Sequence, residues 1–240
     1  MTASAPNASR PTIAWLDWSL RIRAVVFVLA ATSILSLLAV FYGVSSMRSF
    51  VLLYQLPATV ILVVLAALDR SRGSGQLYRA VLIGALAGFL AAVAYDIFRL
   101  PFVFANALGI SSLVPALPLF KVFPRFGAMI LGQPLEQPAY SLLAQLVGWT
   151  YHFSNGITFG VMYLALIGDA LRRSWLWSVL FAVGLEMAML VTPYPGFFSI
   201  KVTATFIAVT LTAHLVFGVF MGLLARRFWH RWQVAVPASS

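Results

Sequence analysis

Along this chain, apolar residues come in runs too long and too continuous for surface helices. Ala24 to Met47, Ser49 to Leu68 and Val202 to Ala225 are predominantly apolar and carry no charged side chain. Each reaches the roughly 20 residues that a helix needs to cross about 30 Å of hydrocarbon. Three further runs are interrupted rather than ended by polar residues. Ala80 to Tyr95 is uncharged and continues apolar past Asp96 and Arg99 to about Phe104, Ser174 to Val191 is broken only by Glu186, and Gln137 to Gly168 suffices for one tilted helix. The pattern predicts an all-α integral membrane protein with six transmembrane helices, over about 24–47, 49–68, 79–104, 140–168, 174–195 and 202–226.

These spans form one domain over 21–232. Residues 1–20 begin with a Ser-, Ala-, Asn- and Pro-rich stretch expected to be disordered, followed by Trp15 to Leu20 at the interface; 233–240 is expected to fray. The first apolar run is of full membrane length, which reads as a retained helix rather than a cleaved signal. The segment 105–139 is apolar but broken by Gly109, Pro115, Pro118, Pro124 and Pro134, so it is expected to lie in the outer interface or to re-enter the membrane.

Composition narrows the class. With 62% hydrophobic residues, 9% charged residues and a mean hydropathy of +0.95, the chain has too little polar surface to coat a water-soluble globule. The absence of cysteine removes disulfide, thiolate-metal and thiol chemistry. The net charge of +10 is distributed in a telling way. With the amino terminus inside, eleven arginines fall on the cytoplasmic side, in the groups Arg10/Arg21/Arg23, Arg70/Arg72/Arg79, Arg172/Arg173 and Arg226/Arg227/Arg231. Only Arg48, Lys121, Arg125 and Lys201 fall outside. That asymmetry predicts a multi-pass protein of a bacterial inner (plasma) membrane with both termini cytoplasmic. The charges are scattered in short turns beside Trp175, Trp177, Phe228, Trp229 and Trp232, the arrangement of interfacial anchors and not of a nucleic-acid surface. The expected partners are the bilayer and, beyond it, other subunits of a membrane complex or further copies of the chain.

Candidate chemistry comes from a pattern that occurs twice: Thr150, His152, Gly156, Gly160, then Thr212, His214, Gly218, Gly222. An acid precedes each histidine, Asp96 in the third span and Glu186 in the fifth, so spans 3–4 and 5–6 read as a parallel pseudo-repeat. Ionisable side chains in hydrocarbon are costly, and a matched set points to a site. At 1.5 Å per residue all four lie about 12–18 Å below the outer surface. Arg99, one turn after Asp96, can pair with it, and Asn155, one turn after His152, can orient the imidazole. Two imidazoles and two carboxylates suit a single divalent ion, zinc, iron or manganese, serving catalysis or transport. A bis-histidine haem b between the fourth and sixth helices is an alternative. Proton-coupled or small-solute transport without a metal is another, as is a structural subunit of a membrane complex. Gly156, Gly160, Gly218 and Gly222 fall on nearly the same faces as the histidines and suit close helix packing.

His152-x-x-Asn155 with Ala213-His214-x-x-x-Gly218 resembles the intramembrane rhomboid-type proteases. The chain has no Gly-x-Ser-Gly nucleophile loop, so that activity is not expected. It also has no phosphate-binding loop or dinucleotide fingerprint, and no span contains a lysine.

Overall fold

The computed structural model describes residues 17–235, and among these every regular element is a helix. α1 (Leu20–Phe41) runs to a turn at Gly43, where φ is +66°. A short α2 (Met47–Phe50), a π-helical turn (Val51–Gln55) and α3 (Leu56–Arg72) then form one continuous rod. α4 (Gln76–Val103), α5 (Val122–Leu131), α6 (Leu142–Ile167), α7 (Leu176–Val191), α8 (Tyr194–Phe197) and α9 (Ala204–Ala235) follow. The end of the bundle holding Leu20 is called here the near end, and the end holding Val103 the far end.

Four of these rods are long and apolar enough to cross a membrane: Leu20–Phe41, Met47–Arg72, Gln76–Val103 and Ala204–Val234. The other two expected spans fall short for physical reasons. α6 is 26 residues long, but Tyr151, His152, Ser154 and Asn155 dilute its hydropathy. α7 has 16 residues because Thr192 turns extended and Pro193 and Pro195 follow. Boundaries also move. Pro101, expected near a helix end, stays inside α4, and α9 continues to Ala235, so 233–235, expected in the tail, belong to the helix, while 236–240 lie outside the described residues. The expected disorder of the first residues lies outside the described residues.

α4 and α6 form the centre. α9 packs on the α4 side, α7 on α9, and α1 with α3 on the opposite flank. Near-end polar contacts lock the register. Asp69, fully buried at the end of α3, accepts from the backbone N–H of Gly75 at 3.2 Å and Tyr78 at 2.9 Å, capping the first turn of α4. Arg23 donates to the Ala165 and Leu166 carbonyls, and Trp18 Nε1 to Gly168, which satisfies the orphan acceptors at the end of α6. Much of α3 faces outward with Val60 and Val63 more than half exposed, the surface that lipid would cover.

The connection from α4 to α6 matters most for function. The chain leaves α4, turns back so that the Leu117 N–H donates to the Phe102 carbonyl, and enters α5. α5 runs antiparallel to the start of α6, with Gly127 against Ala144 and Phe123 against Gly148. It ends at Gly132, whose φ of +72° closes the helix, and Ser141 Oγ accepts from the Ala144 N–H to start α6. α5 is thus inserted beside α6, down to the level of His152.

Candidate functional site: two carboxylate–histidine pairs around one tyrosine

Asp96 lies seven residues (103 minus 96) before the end of α4, and His152 ten residues (152 minus 142) into α6. Because the two helices are antiparallel, these positions meet: His152 Nε2 is 2.8 Å from Asp96 Oδ2. The other carboxylate oxygen, Oδ1, accepts from Arg99 Nη1 at 3.2 Å, as the i,i+3 spacing allows. Arg99 is buried. Its Nη2 donates to the Leu119 carbonyl at 2.6 Å, and its guanidinium carbon sits 4.6 Å and 5.0 Å from the ring centroids of Tyr95 and Phe120. Nε has no partner among the described residues. α5 closes the other side, with Phe123 stacked on the His152 ring at 4.2 Å.

A second pair stands across Tyr95. Glu186 on α7 places Oε2 3.2 Å from His214 Nδ1 on α9. The same nitrogen is 2.9 Å from the Thr210 carbonyl. A carbonyl only accepts, so Nδ1 carries the hydrogen, and Nε2 is the open nitrogen of the neutral ring. The two pairs are therefore alike in order and depth but not in chemistry: the first uses Nε2 and contains a guanidinium, the second uses Nδ1 and contains none. The Tyr95 ring bridges them, with centroids 6.1 Å from His152 and 5.0 Å from His214.

Two cavities border this layer. The larger, about 390 Å³, is lined by Tyr95, Arg99 and Glu186 below and by Lys121, Arg125 and Lys201 toward the far end. The smaller, about 100 Å³, is lined by both histidines with Tyr95 and Arg99. The order of acids and histidines in the sequence already points to this layer. Tyr95 and Thr210 carry no such signal beyond sitting in apolar runs, and only the structure assigns them a place.

The remaining candidate residues are placed differently. Asn155 borders the smaller cavity but does not bond His152; its Oδ1 accepts from Ser33 Oγ on α1, where Ser36 and Tyr151 complete a buried polar cluster. Gly156 and Gly160 lie against Gly88 and Gly84 of α4, so close that a Cβ on Gly160 would fall 2.0 Å from the Gly84 carbonyl oxygen. Gly218 and Gly222 lie against Val179 and Ser178 of α7. Backbone and small side chains of the neighbouring helices fill both strips. Among the described residues, no three His, Asp or Glu side chains converge on one point. Two histidines and two carboxylates come together as two pairs, and the third group on Asp96 is a guanidinium. Compared with family models, with curated proteins and with solved structures, the chain matches none of them.

Proposed function

We propose that the protein is a six-span membrane protein that binds a small solute in the larger cavity and takes up protons at the Asp96–His152 and Glu186–His214 pairs, as a permease or a component of one. The observation that carries this reading is the meeting of two carboxylate–imidazole pairs, from four helices, around Tyr95 at the wall of a cavity. Imidazole changes charge between about pH 5 and about pH 8, and buried carboxylates beside it exchange protons with it. The charged and titratable groups facing the pairs are Tyr95 and Arg99 on α4, Tyr194 on α8, and Lys121, Arg125 and Lys201 at the mouth. The six-span reading is supported by α6, whose 26 residues extend about 39 Å, and by the arginine asymmetry, which puts the far end outside.

Infrared difference spectra of the purified protein between about pH 5 and about pH 8 test the proposal, because that range spans imidazole titration. Carboxyl and imidazole bands should change, and Asp96→Asn and Glu186→Gln should each remove part of the change. Spectra unaltered by either substitution would reject proton uptake at these pairs. Near-stoichiometric zinc, iron or manganese by elemental analysis would instead return the four residues to metal ligation.

A further inference from the structure

Resting on the solute-binding reading, we infer that the solute is a small organic anion: a carboxylate or phosphate head on a compact apolar body. The larger cavity is lined by four cationic residues, Arg99, Lys121, Arg125 and Lys201, and by one acid, Glu186. Two of the cations are already balanced. Arg99 is paired with Asp96, and Arg125 with Glu136 at 2.8 Å. Lys121 and Lys201 are exposed and have no ion-pair partner among the described residues. A cation entering the cavity meets both lysines and the edge of Arg99, whereas an anion is drawn inward, since a cleft with low-dielectric walls focuses the field of one sign.

The walls set the rest of the ligand. Met189, Leu190, Phe198 and Phe206 are apolar, and Tyr194 and Thr210 line the cavity beside them, the Thr210 hydroxyl donating to the Ile207 carbonyl of its own helix. A volume of about 390 Å³ lies toward the small end of the roughly 300–1,000 Å³ found for ligand sites. Glu186 repels an anion while ionised. A proton shared by Glu186 and His214 removes that repulsion, so anion and proton bind together and each raises the affinity for the other. Solute class and proton uptake thereby become one mechanism, with the lysines steering and the Glu186–His214 pair coupling.

The test is calorimetric titration of the full-length protein in phosphatidylcholine nanodiscs with three probes of one shape: benzoate, benzyl alcohol and benzylammonium. Benzoate should bind about tenfold or more tightly than either of the others, and Lys121→Gln with Lys201→Gln should weaken it about three- to tenfold, as expected for steering charges. Both lysines are exposed, so these variants fold. Equal affinity for benzyl alcohol, no benzoate binding, or an unchanged double variant overturns the assignment. Phosphatidylglycerol in the disc separates two sources of the anion: competition with benzoate identifies a lipid head group, and its absence a free solute, both within the proposed class. Benzoate affinity that is the same at acidic and alkaline pH rejects the proton linkage and leaves the anion assignment standing.

Discussion

The residue with most at stake is Arg99. It is 5% exposed, is shared between Asp96 and the Leu119 carbonyl, and is caged by aromatic rings. Removing one member of a buried ion pair strands the other. Arg99→Gln should therefore lower the unfolding free energy by about 3–5 kcal/mol. Asp96→Asn in the same chain should restore part of the loss, because no uncompensated charge then remains; denaturant unfolding of both variants in detergent measures this. A double variant no more stable than Arg99→Gln would mean that the pair is not the unit of stability. At this scale the sequence showed which ionisable residues share a depth. It did not show which imidazole nitrogen each acid meets, nor that Asn155 turns to Ser33, because those follow from helix rotation and rotamer rather than from spacing.

Among elements, the glycine contacts make the sharpest prediction. A Cβ on Gly127 would lie 1.8 Å from the Ala144 carbonyl oxygen, while around Gly184 nothing lies within 4 Å. Gly127→Ala should thus push α5 off α6 and destabilise by about 1–3 kcal/mol. Gly184→Ala, in the middle of α7, should stabilise by about 0.5–1 kcal/mol through helix propensity alone. Thermal unfolding of the two variants gives opposite shifts if the packing is as described, and shifts of one sign would contradict it. The length of uncharged apolar runs located the long rods, since such runs need no partner to be recognised. The proline-broken stretch between α4 and α6 was legible only as irregular. That ten of its residues form a helix seated against α6 depends on Gly127 and Gly148, whose complementarity is tertiary.

For the whole molecule, orientation is the property that a simple measurement settles. The chain contains no cysteine, so a single introduced thiol is the only one present. With the far end outside, Lys201→Cys in intact cells should react with a membrane-impermeant maleimide, and Arg72→Cys only after permeabilisation; the reverse pattern would invert the topology. The arginine asymmetry in the sequence is what predicts this orientation. The number of membrane crossings is harder to read, because polar residues dilute the hydropathy of α6 and the extended Thr192 with Pro193 and Pro195 cuts α7 short.

The backbones of α4 and α6 touch at Gly84, Gly88, Gly156 and Gly160 with no side chain between them. Two rods in such contact cannot slide by a fraction of a turn without driving carbonyl groups into one another, so they behave as a keel. α7 is held chiefly by α9 and has open space at Gly184. Under the proposed transport, a cavity wall that moves against this keel leaves Asp96 stationary on α4 and carries Glu186 and His214 together, since Gly218 and Gly222 of α9 lie tight against α7.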